Sequence, residues 1–233
     1  MITIRGFRAI DDPEVCDKFL FGHRKVLESI NVKEVTSSKA TWIENPDVYV
    51  IVVESLEDKR ILGGARVHKA GAHEPLPVES ATDYMDPTVK QWIGHYAANG
   101  AGEICGLWNS REVAGLGIGA VFLTRAAVAC STFLGIHHLF ALCAPYTVDM
   151  AKFVGYEVAY NVGNKGTFYY PKLDLVATAM ILKDVDNLSL ANEEERSKIL
   201  ELRSQPNLTR LEVFRKKTIE LHFELDFKNL TLR

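Results

Sequence analysis

The feature that most constrains this chain is the run Ala114-Gly115-Leu116-Gly117-Ile118-Gly119, set between a strand-like segment, GEICGLWNS, and a strongly apolar helical segment over 120–133. A helix N-terminus leaves backbone N–H groups unpaired and carries partial positive charge, so a turn bare of side chains at that end can hold a pyrophosphate. Alternating glycines also serve close helix packing, so place in the chain has to decide between the two uses. A dinucleotide fingerprint needs an early strand, G-x-G-x-x-G spacing and an acidic residue about 20 residues later. Here the spacing is G-x-G-x-G, the turn follows four strand-like segments, and Gly135-Ile136-His137 offers no acid. The run therefore fits a Rossmann fingerprint poorly.

Periodicity places the remaining elements. Residues 2–7 alternate as a strand, and a helix capped by Asp11 or Asp12 runs from Pro13 to Ile30. The β-branched run 48–54, the polar turn 57–60 and the segment 61–68 form a hairpin. Gly71, Pro75, Pro77 and Pro87 mark 70–102 as an insertion carrying one helix, over 88–98. A strand follows over 103–108, then the glycine turn, then the helix that Gly135 ends. Residues 139–144 suit a buried strand, Pro145 opens a helix, and 157–162 with 175–182 make a final hairpin. The core domain spans 1–184, and 185–233 is an extension of one helix and one strand. That strand, 219–227, alternates so regularly that it must bury one face, in its own domain or as a homodimer contact.

A formal net charge of -3 with no Lys/Arg block leaves no electrostatic footprint for nucleic acid. Nothing reaches the ~18 consecutive apolar residues of a membrane span, and the first residues lack a secretory pattern. A cytoplasmic location is the resulting expectation. Cys16, Cys105, Cys130 and Cys143 form no CxxC pair, and His137 and His138 on a strand face opposite sides, so no metal is expected.

Residues 112–119, EVAGLGIG, occupy the place of a [Gln/Arg]-x-x-Gly-x-[Gly/Ala] turn between a fourth strand and a long helix. The strand HHLFALCA, the helix PYTVDMAKFV and the passage Gly155-Tyr156-Glu157-Val158 follow in order. Together they resemble the GCN5-related N-acetyltransferase (GNAT) superfamily over roughly residues 2–184. The resemblance implies an α/β fold with a mixed, mostly antiparallel central sheet flanked by helices. It implies transfer of an acyl group from acetyl-CoA or a longer acyl-CoA to the amine of a small molecule. It also assigns donor contacts: pyrophosphate to Ala114, Gly115, Leu116, Gly117, Ile118, Gly119 and Ala120, and pantetheine to Leu107, Trp108 and Asn109, with an oxyanion-stabilising N–H near Leu107. Two positions depart from the family pattern. Glu112 or Ala114 stands near the motif's Arg or Gln, and Ala151 stands where many members carry a proton-donating Tyr. Gly63-Gly64-Ala65-Arg66-Val67, Leu76-Pro77, Glu103 and Ser110-Arg111 further resemble acyl-homoserine-lactone and N-acyl amino acid synthases, which implies a long-chain donor on acyl carrier protein as an alternative.

Amine acylation needs a deprotonated nucleophile and a polarised carbonyl. Glu103, the only acid in GEICGLWNS, is the candidate base, and its apolar neighbours should raise its pKa; a strand-end carboxylate in solvent is its alternative. Arg66, facing the cleft, would bind a substrate carboxylate, and exposure on the strand is its alternative. Arg111 would serve donor phosphate or carrier protein, or be a solvated loop charge. Tyr146 and Tyr156 are the nearest substitutes for the absent tyrosine. A non-catalytic acyl-CoA sensor is the competing class of function.

Overall fold

The structure, a computed structural model, describes residues 2–32, 35–36, 39–71, 73–116, 118–214, 216–225 and 227, with backbone alone at 114–116 and 214. In chain order the elements are β1 (Ile2–Arg8), α1 (Pro13–Ser29), β2 (Val48–Ser55), β3 (Ile61–Lys69), α2 (Pro77–Thr82), α3 (Thr88–Ala97), β4 (Ala101–Asn109), α4 (Arg111–Leu116) and α5 (Ala120–Ser131). There follow β5 (His138–Cys143), α6 (Val148–Phe153), β6 (Glu157–Val158), β7 (Thr167–Tyr169), β8 (Val176–Leu182), α7 (Glu193–Ser204), β9 (Asn207–Phe214) and β10 (Lys217–Glu224). One ten-stranded sheet takes the order β6-β8-β5-β4-β3-β2-β1-β10-β9, with β7 also on β8. Its pairings are antiparallel except β4 with β5 and β1 with β10. This is the mixed, mostly antiparallel α/β arrangement that the resemblance implied.

Burial explains the strand compositions. β2, VYVIVVES, is buried at nearly every position because helices cover both faces of the sheet there, and such strands read as continuous apolar runs. On one face α5 and α7 pack with Ile104, Leu139 and Ala141. On the other, α1 packs through Phe19 against Trp42 and Trp108, and Trp92 of α3 meets Phe140. Side-chain caps fix two helix starts: Asp12 accepts from Val15 N–H at 3.2 Å, and Asn192 accepts from Glu194 and Glu195 N–H at 3.1 and 3.3 Å.

The structure corrects several element assignments. The insertion holds two helices, α2 and α3, and β4 begins at Ala101, so the insertion ends earlier than read. After Pro206 there are two strands joined by a tight turn with Lys216 at φ 65, where the sequence reading had one. β10 lies between β1 and β9, so both its edges are taken within the chain, and the strand offered as a homodimer contact is an internal one. Residues 111–116 of the glycine region form a helical turn, with Gly117 outside the described residues. All four cysteines are free, and among the described residues no helix is long and apolar enough to cross a membrane.

Candidate active site

β4 and β5 run side by side only where residues 101–103 meet 138–140. Beyond that point β4 stays with β3 and β5 with β8, so the two strands part and open a wedge in the sheet. A bulge deepens it. Arg66 pairs with Cys105 and Gly64 with Trp108, which leaves Gly106 and Leu107 together opposite Ala65. Gly106 has φ 58, a left-handed conformation that glycine adopts without steric cost. The extra residue breaks the ladder to β3 at Gly106 and Leu107, and the other edge of β4 there is the one that β5 has left.

A cavity of about 630 Å³ fills the wedge and reaches both faces of the sheet. Ala120 and Thr124 of α5, Met150 and Ala151 of α6, and the segment 143–147 wall one side. Val26 and Leu27 of α1, with Ile30, Val32, Leu175 and Val176, wall the other. Thr36 closes this second side: its N–H donates to Tyr170 Oη at 2.6 Å, and its hydroxyl lies 3.4 Å from Pro77 O.

Glu103 stands at the fork, 2% exposed and on the cavity wall. Its Oε2 accepts from Val78 N–H at 2.7 Å, an unpaired amide in the first turn of α2, where Pro77 supplies no N–H. Burial pushes its pKa up to about 8, against the opposing pull of the Val78 hydrogen bond and the Arg66 charge. A carboxyl so poised can exchange a proton near neutral pH.

Of the residues assigned to donor contacts, Leu107, Trp108, Asn109 and Ala120 line the cavity. Trp108 is 5% exposed and packs edge-on to Phe19 at 5.8 Å, so it is both core and wall. The Asn109 amide, oriented by its hydrogen bonds, accepts from Ala120 N–H at 3.2 Å and donates to Trp108 O at 3.1 Å. It ties the end of β4 to the start of α5 and occupies one of the amides assigned to phosphate. Ile118 is buried and its N–H bonds Val113 O at 3.1 Å. Glu112, one of the two residues set near the motif's Arg or Gln, pairs with Arg60 at 2.7 Å and pins α4 to the β2–β3 turn.

Arg66 is placed unlike either expectation. It is fully buried, neither exposed nor on the cavity wall, with its guanidinium 4.2 Å from the Trp42 ring and 5.7 Å from Phe19. From behind β4 its charge acts on Glu103 and His23. Sequence reasoning missed His23, Val78 and the Thr36–Tyr170 clasp. His23 lines the cavity at 4% exposure, its pKa depressed to about 4 by burial and the Arg66 charge. The α1 residues read as ordinary core because their helical spacing is the same whether they face packed side chains or a cavity. The Leu76-Pro77 pair was the one available signal for the Val78 amide, since proline commonly opens a helix.

No protein-family model matches the chain, and no curated protein sequence does. Solved structures do resemble it. FeeM, an N-acyl amino acid synthase from uncultured soil microbes, superposes with a TM-score of 0.61 at 18% identity, over 82% of this chain and 99% of its own. BjaI, a CoA-dependent acyl-homoserine lactone synthase, gives 0.52 at 13% identity over 88% and 91%. A mosquito arylalkylamine N-acetyltransferase, like 5b, gives 0.52 at 15% identity over 78% and 99%. These superpositions show that the chain shares the fold of these solved structures, and in this chain that fold carries the parted β4 and β5.

Proposed function

We propose that this chain is an N-acyltransferase that takes its acyl group from an acyl-CoA and delivers it to the amine of a small molecule. The observation that carries this reading is the buried Glu103 carboxyl at the fork of β4 and β5, where one cavity joins the two faces of the sheet. The β4 edge vacated by β5 gives an extended pantetheine arm backbone partners over 104–109, and the start of α5 lies beside it for the pyrophosphate. On this reading Gly115, Gly117 and Gly119 keep that approach free of side chains. Glu103 takes the proton of an amine arriving from the α1 side, and the main chain at the bulge supports the developing oxyanion. Attack is direct: Cys143 lines the wedge, but burial pushes its thiol up to about 11, far from a reactive thiolate.

The apolar wall of Val26, Leu27, Ile30, Val32, Leu175 and Val176 favours a long acyl chain over acetyl. Carrier protein is the alternative bearer of such a chain. Thiol release from acyl-CoAs of increasing length, each with a panel of amines and amino acids, tests the reading. Turnover that rises with chain length is expected, and Glu103→Gln should lower kcat ~10²-fold or more with donor affinity kept. Donor binding with no turnover on any amine would instead identify an acyl-CoA sensor.

A further inference from the structure

β9 ends the sheet, and one of its edges is open. It pairs with β10 in an unbroken register, from Phe214 opposite Lys217 to Asn207 opposite Glu224, and among the described residues no strand takes its other edge. Phe214 and Lys217 are two residues apart across the turn, so they form a pair that exchanges both main-chain hydrogen bonds, and the alternation along the strand follows from it. Leu208, Arg210 and Glu212 thus turn their N–H and C=O groups toward β10, whereas Thr209, Leu211 and Val213 turn theirs outward. Exposed edges are commonly blunted by a bulge or a proline. β9 has neither over its eight residues, and Leu211 and Val213 are 68% and 66% exposed on it. Its two charged residues, Arg210 and Glu212, therefore decide what the edge accepts.

A second β9 can add antiparallel in few registers. A two-fold axis at Arg210 sets that residue against the partner's Arg210, and an axis at Glu212 sets it against the partner's Glu212; like charges directly opposite are destabilising. An axis at Thr209 sets Glu212 against the partner's Pro206, outside the strand. An axis at Leu211 has none of these faults. It places Arg210 opposite the partner's Glu212, Glu212 opposite the partner's Arg210, Leu211 on the partner's Leu211 and Val213 on the partner's Thr209. We propose that this chain forms a homodimer through β9 in that register, joining two ten-stranded sheets into one. The outward main-chain groups of Thr209, Leu211 and Val213 find partners, and their exposed apolar side chains meet across the axis. Glu212 also holds Arg125 of α5, so the interface is continuous with the charge cluster that anchors that helix. The proposal is independent of the acyl-transfer reading.

Sedimentation velocity on the full chain and two variants tests the pairing. Leu211 is exposed in the single chain and accepts a charge there, but at the axis each copy faces itself. Wild type is expected at twice the mass of one chain at micromolar concentration. Leu211→Lys and Leu211→Glu should each raise the dimer Kd at least ~10-fold, with the circular dichroism of wild type. An equimolar mixture of the two variants should recover the dimer, because opposite charges then meet at the axis. A monomeric wild type overturns the proposal, and dimerisation that appears only on removal of residues 228–233 would make the chain's own end the occupant of the edge. A dimer indifferent to both charges, or variants that stay monomeric when mixed, would overturn pairing about Leu211.

Discussion

Glu103 is held by forces that oppose one another. Burial favours its neutral form, whereas the Val78 N–H and the Arg66 charge favour the carboxylate, and burial prevails with a pKa of about 8. The folded chain therefore keeps a proton between pH 4.5 and 8 that the unfolded chain has released. That contribution to stability is fully present below pH 4.5 and is lost as pH rises through 8, with a slope approaching ~1.4 kcal/mol per pH unit in between. Wild type is expected to lose more in Tm between pH 6 and 8 than Glu103→Gln, whose amide oxygen can still accept from Val78. Parallel melting curves for the two proteins across that range would refute the buried, protonated state. Under the acyl-transfer reading the same titration gives kcat/KM a rising limb near pH 8. Glu103 was legible in the sequence as the sole acid of an apolar strand, whereas its partner amide was not. Val78 lies 25 residues away and meets it only because the insertion folds α2 back over β4.

At the scale of elements, the helix that begins at the candidate pyrophosphate site is anchored by charge. Arg125 of α5 is 2% exposed and bonds both oxygens of Glu195 on α7, at 2.6 and 2.7 Å, and also Glu212 on β9. In the sequence Arg125 only interrupts an apolar run, because its partners lie 70 and 87 residues further on, in segments whose packing no local pattern discloses. Most strands and the α5 segment were readable from periodicity, but β7, β9 and a contact across the sheet edge were not. Removing one member of such a group strands a buried charge at a cost of about 3–5 kcal/mol, while replacing all members with apolar residues can be nearly neutral. Glu195→Ala should therefore be strongly destabilised in urea titration, and a triple variant with Arg125→Met, Glu195→Leu and Glu212→Leu, in which the other partners of Glu212, Arg210 and Lys198, keep Glu201 and Glu194, should recover most of the loss. If the triple variant were no more stable than the single one, packing around the charges, and not the charges themselves, would be the controlling term.

For the whole molecule, what matters is that the sheet does not stop where the resemblance stops. β10 adds to β1 in parallel, pairing Ile2 with Leu221 and Ile4 with Phe223, and β9 completes the edge. Leu221, Phe223, Leu225 and Phe227 are all buried in the cluster that contains the α5 residues. Phe227 lies over Gly6, where a side chain would meet its ring at 2.5 Å, and edge-on to Tyr49 at 5.6 Å. The described residues of β10 and those after it, Leu225 and Phe227, thus share one core with α5, although no sequence signal before them required it. Truncation after Gln205 would expose the hydrogen-bonding edge of β1, uncover Ile2 and Ile4, and leave Arg125 without Glu212. A stable appendage would give two transitions in calorimetry and a truncated chain that melts like the larger one. A shared core instead predicts a single transition for the full chain and a truncated chain that aggregates or melts far lower, with donor binding lost alongside because α5 loses part of its anchor.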